Sequence, residues 1–311
     1  MAVEARCKGA QLALFMGAAM VACGPQGQEP KTASGAPAAQ GAAASPSAEA
    51  EPPKNAGPAS AEVEALLARH LQARGGEDKI RALRSVRMTG VMRVGNEGGL
   101  ELQYAALIAR PGRVRTENTY QGLTAVNAYD GTESWAVQPF GGRRDPYRGS
   151  ADDAKRSAQT ADLDGPLVDP QRKGHRVEYL GTEDIDGTQA HKLRVLLRDG
   201  DTEYHYLDPD AMLEIRVVRE NRDRGVVTVN ETDLGDYEQV EGVWFPMAIE
   251  AGRRGKPRSM RMRIESIEAN VPAAEELFRF PAAGVRVGRA LETSGAPPSK
   301  SAAARKPEAP A

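Results

Sequence analysis

The 311-residue chain holds only two cysteines, Cys7 and Cys23, and none beyond residue 23. Everything downstream is therefore barred from disulfides, cysteine nucleophiles and Cys-ligated metals. An excess of one charge is also lacking, since 41 Lys and Arg stand against 43 Asp and Glu for a formal net charge of −2. That argues against a dedicated nucleic-acid binder, whose surface carries a basic excess or stripe. Aromatic residues are scarce at 5%, and the uncharged, mostly apolar stretch 10–22 has 13 residues. Such a stretch is too short to cross a hydrocarbon core of about 30 Å. Gly-x-Ser-x-Gly, Walker and Gly-x-Gly-x-x-Gly patterns are missing too, so hydrolase, nucleotide and dinucleotide readings have no support. The four histidines, His70, His175, His191 and His205, show no metal-ligand spacing on one element. The expectation is a protein without enzymatic activity, cofactor or metal.

What is present at the N-terminus reads as a secretory signal over residues 1–22, with Arg6 and Lys8 before the apolar stretch. Met20-Val21-Ala22-Cys23-Gly24 resembles a bacterial lipobox, in which small residues precede a cysteine that is lipidated and becomes the new N-terminus. That resemblance implies a membrane anchor on Cys23. Two or three acyl chains, at about 0.8 kcal/mol per buried methylene, would hold the protein on a membrane. Gly24 is not the Asp that enterobacterial sorting rules treat as an inner-membrane mark, which implies the periplasmic face of the outer membrane. Residues 24–59 contain 26 Ala, Pro, Gly or Ser among 36, with no Ile, Leu, Val, Met or aromatic. They read as a disordered linker following the lipidated cysteine (23–59), with an end-to-end distance of about 30–36 Å as a flexible coil. Residues 290–311 read as a second disordered tail, leaving 60–289 as one domain.

Within that domain Ser60 reads as an N-cap, and Val63, Leu66, Leu67, His70 and Leu71 recur as one face of an amphipathic helix. Gly75 and Gly76 stop it, and a short second helix through Ile80 and Leu83 follows. From Ser85 the period is two: Val86, Met88, Met92 and Val94, then Leu102, Tyr104, Ala106 and Ile108. The same alternation returns in Leu193 to Leu197, Leu213 to Val217 and Met260 to Ile264. Asp130-Gly131, Asp186-Gly187 and Asp199-Gly200 mark turns. The fold class expected is α+β: a curved antiparallel sheet of about 10–11 strands, a half-open barrel covered by the N-terminal helix and a short middle helix near residues 151–161.

One stretch is more specific. Arg110-Pro111-Gly112, Asp130-Gly131, Trp135 and Pro139-Phe140 resemble, in order and spacing, the outer-membrane lipoprotein-sorting family, the LolA/LolB-like fold. The likeness runs from Ser60 to Pro281 and is closest between Arg110 and Phe140. It departs at Val114 and Thr116, where the family has aromatics. The resemblance implies an apolar cavity between sheet and helices that holds acyl chains of lipids or lipoproteins. It also implies a lid contact for Arg110. On that reading the cavity is lined by Met88, Met92, Leu102, Tyr104, Ile108, Trp135, Trp244, Phe245, Met260 and Met262. Methionine suits a deformable pocket, and plain core is the other reading of all these residues. Lipid or lipoprotein sorting to the outer membrane is the function implied. A sensing or protein-interaction module of the same fold, with an envelope protein as partner, is the alternative. Arg143, Arg144 and Arg148 read as a basic loop.

Overall fold

Ser60 caps the first helix as its sequence position requires, its hydroxyl accepting the Val63 amide at 3.3 Å. A computed structural model describes residues 60–95, 99–223, 226–285 and 287–291. Two helices come first, α1 (Ala61–Arg74) and α2 (Glu77–Ala82), followed by β1 (Ser85–Val94), β2 (Leu100–Ala109) and β3 (Arg113–Tyr120). Then come β4 (Leu123–Tyr129), β5 (Ser134–Gln138), β6 (Arg143–Arg148) and a third helix, α3 (Ala151–Thr160). The rest is β7 (Arg176–Ile185), β8 (Thr188–Leu196), β9 (Thr202–Leu207), β10 (Glu214–Asp223), β11 (Val226–Val240), β12 (Val243–Arg253) and β13 (Met260–Ala269).

All thirteen strands form one antiparallel sheet in the order β6-β5-β4-β3-β2-β1-β13-β12-β11-β10-β9-β8-β7. The sheet is curved and open, with β6 and β7 as its free edges. Its strands exceed the expected 10–11, and β6 shows why. Arg143, Arg144 and Arg148 are an edge strand and not a loop; an edge needs only one neighbour, so β6 keeps a single well-buried side chain, Tyr147, and shows no alternation.

One face of the sheet carries the helices. Ile80 and Leu83 from α2 pack with Val86, Leu163, Val243 and Phe245. Val63 and Leu66 from α1 pack on Val177, Leu193, Val195 and Leu207, and α3 lies over β3, β4 and β5. Between these, Met92, Leu102, Tyr104, Met260 and Met262 form a closed apolar cluster with Met247, Ile249 and Ile264. The opposite face is covered differently. After β13 the chain crosses it, burying Phe278 and Leu291 against Ala105, Leu107 and Ala109 and laying Phe280 and Val287 on Val126, Trp135 and Val137. Packing therefore continues through Leu291, beyond the domain end expected at 289.

The strap is fastened by a buried ion pair. Arg115 donates Nε to Glu117 at 2.7 Å, and their side chains are 5% and 1% exposed. Arg115 also donates to the carbonyls of Leu277 and Gly288, each at 3.0 Å. Glu117 accepts the amides of Ala290 and Leu291. Two charges inside a sheet are tolerable only when they are paired and further hydrogen bonds compensate their lost hydration, and the strap's backbone supplies bonds to both.

Candidate functional site

The helix α1 uses two faces. Leu66 and His70 point into the core, Val63 lies at the boundary of core and cleft, and Leu67, Ala68 and Leu71 turn toward an open cleft of about 910 Å³. Its far wall is the edge strand β7, through Val177 and Tyr179, and its floor is the loop between α3 and β7, through Leu167 and Pro170. Charges sit at the rim. Arg172 lies 3.4 Å from Asp169 and Arg176 lies 3.0 Å from Glu178, all within reach of water. Ser60, the first residue of the folded chain, also borders this cleft.

A second cleft of about 470 Å³ lies on the other side of the same loop, and His175 borders both. Its lining mixes charged groups, Arg110, Lys173, Arg198, Arg219, Asp162 and Glu203, with Leu163, Pro166 and Leu197. Arg110 ties three parts together here. It donates Nε to the Leu83 carbonyl at 2.7 Å and Nη2 to that of Ile80 at 3.1 Å, so it holds the C-terminal end of α2. Its other contacts go to both oxygens of Asp164, in the loop. Burial works against the Asp164 charge, but the hydrogen bonds and charge of Arg110 keep its pKa below the ordinary carboxylate value. Arg74 of α1 adds a bond to the Asp164 carbonyl at 2.5 Å. Lys173 bonds Asp162 at 2.6 Å, and Arg81 bonds Asp169 at 2.5 Å. The loop between the clefts is thus pinned to both N-terminal helices.

Behind the second cleft lies a buried charged cluster. His205, 1% exposed, stands between Glu203 Oε2 at 3.0 Å from Nε2 and Glu214 Oε1 at 2.6 Å from Nδ1. Burial alone would lower the imidazole pKa, but the two carboxylates raise it to about 9. Burial likewise opposes ionisation of Glu203, and Arg219, donating at 2.6 Å, together with His205 brings it down to about 2. Both ring nitrogens of His205 are engaged, so it has no free lone pair with which to take a proton from a substrate. His70 of α1 gives Nδ1 to the Met212 carbonyl at 2.8 Å, and its buried Nε2 has no hydrogen-bond partner among the described residues. His191 Nδ1 lies 3.0 Å from the Tyr179 hydroxyl. Among the described residues no group of three His, Cys, Asp or Glu side chains is placed to hold a metal ion.

The cavity-lining residues expected from sequence fall elsewhere. Met92, Leu102, Tyr104, Met260 and Met262 lie in the closed cluster, with Met88 packed against it. Phe245 and Ile108 belong to the α2 cluster. None of these borders either cleft. Trp135 is on the opposite face, where its Nε1 donates to the Phe278 carbonyl at 2.7 Å under the strap. Trp244 also points away from the helices, since its neighbours Val243 and Phe245 point toward them. Cys23 lies outside the described residues. The cleft residues that sequence reasoning missed are Leu67, Leu71, Leu167 and Val177; Leu67 and Leu71 read from sequence only as part of the apolar face of α1, and nothing in the sequence pairs them with Leu167 and Val177.

Compared with known proteins, no protein-family model matches the chain and no curated protein matches it. Solved structures do resemble it. A LolA superfamily protein from Nitrosomonas europaea superposes with a TM-score of 0.50 at 12% identity, over 70% of this chain and 97% of that one. A DUF1329 family protein from Desulfovibrio piger gives 0.50 and 12% over the same shares. The fold is LolA-like. Within this LolA-like domain the open space lies between α1 and the edge of the sheet, and the centre of the sheet is packed. Arg110, the arginine singled out by the Arg-Pro resemblance, touches α2 and the inter-cleft loop.

Proposed function

We propose that this LolA-like protein is a cell-envelope lipoprotein, held through Cys23 on the periplasmic face of the outer membrane, whose α1–β7 cleft takes acyl chains of lipids or lipoproteins. It moves or presents them in sorting to the outer membrane without covalent chemistry. The observation that carries this reading is the cleft itself. Leu67, Leu71, Leu167 and Val177 give it an apolar interior of about 910 Å³ that opens at a charged rim. An acyl chain would be retained there by burial of apolar area at about 25 cal/mol per Å², while a polar head stayed among Arg172, Arg176 and Glu178. The expected lid role of Arg110 fits its bonds, because releasing Asp164 would remove one of the ties, beside those from Arg74 and Arg81, that hold the loop forming the cleft floor.

Native mass spectrometry of the full chain purified without detergent, coupled to lipid extraction, tests the reading. A copurified lipid or acylated peptide at near-stoichiometric amount, lost in Leu67→Glu, supports it. An empty protein that also takes up no added fatty acid overturns it in favour of the second reading, a sensing or protein-interaction module. That alternative draws its support from the buried cluster around Met92 and Met262, whose side chains pack on one another in the middle of the sheet.

A further inference from the structure

The chain enters the folded domain at the mouth of the cleft. Ser60 is exposed, it borders the cleft, and α1, which starts at the next residue, forms one wall through Val63, Glu64 and Leu67. The tether that joins this point to Cys23 is residues 24–59. Its 36 residues reach at most about 120–130 Å when fully extended. A group on Cys23 can therefore reach the cleft without passing around the domain. Being on the same chain, it competes for the cleft as an intramolecular ligand.

An acyl chain leaving a bilayer for this cleft exchanges one apolar environment for another. Its methylenes gain little either way, so the tether decides how often the cleft is visited. The cleft does not distinguish an acyl chain on cargo from one on its own anchor, because its lining offers apolar contact and the polar groups stay at the rim. We propose that one acyl chain of the Cys23 anchor is the resident occupant of the α1–β7 cleft, and that cargo enters by displacing it. This rests on the acyl-binding reading of the cleft and on lipidation at Cys23. Its consequence is a reciprocal link: while the cleft holds an anchor chain, fewer chains remain in the membrane, and two are needed for stable attachment. Cargo binding returns that chain to the bilayer and tightens the hold on the membrane.

The test compares three forms of the full chain for binding of a fluorescent long-chain fatty acid. These are the lipidated protein in phosphatidylethanolamine–phosphatidylglycerol vesicles, the same sample after cutting the tether at a protease site placed between residues 40 and 50, and the Cys23→Ala protein exported by an ordinary cleaved signal. Background partition into vesicles is subtracted with a Leu67→Glu lipidated control. The expected result is an apparent affinity at least tenfold weaker for the tethered lipidated form. Cutting the tether should bring it to within twofold of Cys23→Ala. Equal affinities in all three forms overturn the proposal. So does an intact mass showing no acyl group on Cys23. If Cys23→Ala itself takes up no probe, the acyl-binding reading fails, and the proposal fails with it for that separate reason.

Discussion

A histidine held between two glutamates inside a sheet makes stability depend on pH in a direction that can be worked out. His205 has a folded pKa of about 9 against 6.5 for the free side chain, so its contribution is complete below about 6.5 and is lost as pH rises through about 9. Glu203, brought from 4.5 to about 2, contributes fully above about 4.5 and fades as pH falls toward 2. Urea unfolding should show a plateau between about pH 4.5 and 6.5 and a decline by pH 9. In His205→Gln that alkaline decline should flatten. His205→Ala should cost about 3–5 kcal/mol at pH 6, because it removes the charged partner of the buried Glu214 and leaves Glu203 with Arg219 alone. Arg110 is a milder case, since its side chain is 33% exposed while that of Asp164 is 8%. Arg110→Leu should lower stability by about 1–3 kcal/mol, the cost of leaving buried acceptors unmet, and should speed release of a bound fatty acid measured by stopped-flow transfer to vesicles. The Arg-Pro resemblance drew attention to Arg110 from sequence. Asp164 and the His205 cluster were not legible, because their partners lie on strands and loops whose register only the folded sheet fixes.

At the scale of elements, period-two alternation located most strands, the Ser60 cap located α1, and apolar spacing and helical propensity located α2 and α3. What alternation does not state is which of its two faces meets the helices. Trp135 and Trp244 were expected among the cavity residues for this reason, and both are on the other face. The same limit hid the pairing of β1 with β13, whose register shifts between Thr89 and Gly90. A Cβ at Gly90 would stand 2.1 Å from the Arg263 carbonyl oxygen, so the two backbones approach there as only glycine allows. Gly90→Ala should force β1 off β13 and cost several kcal/mol, on the order of the larger single-substitution effects. Hydrogen exchange should show the loss concentrated in β1 and β13. A merely local adjustment would leave those amides as protected as before.

For the whole molecule, the two faces of the sheet are covered by different means, and this decides what the C-terminal region does. Composition placed the end of the domain at residue 289, because little after β13 has the periodicity of a helix or strand. Leu277, Phe278, Phe280, Val287 and Leu291 are spaced irregularly, yet they cover Ala105, Leu107, Val126 and Trp135. An irregular strap can do so because its backbone groups are bonded by Arg115, Glu117 and Trp135 instead of by a neighbouring strand. Those three side chains come from β3 and β5, so the strap's register is written in the sheet and not in the strap. Ending the chain after residue 291 should leave the urea midpoint unchanged. Ending it after residue 270 would expose Trp135, bare the apolar patch on β2 and β4, and strand the Arg115–Glu117 pair without its backbone partners. Loss of cooperative unfolding and a red shift of tryptophan emission are expected for that form. Glu117→Gln separates the two contributions. It keeps the apolar cover but removes the charge that neutralises Arg115, and it should destabilise by about 3–5 kcal/mol, with tryptophan emission unchanged below the transition. Equal stability of the form ending at 270 and the full chain would mean that the sheet holds without its strap.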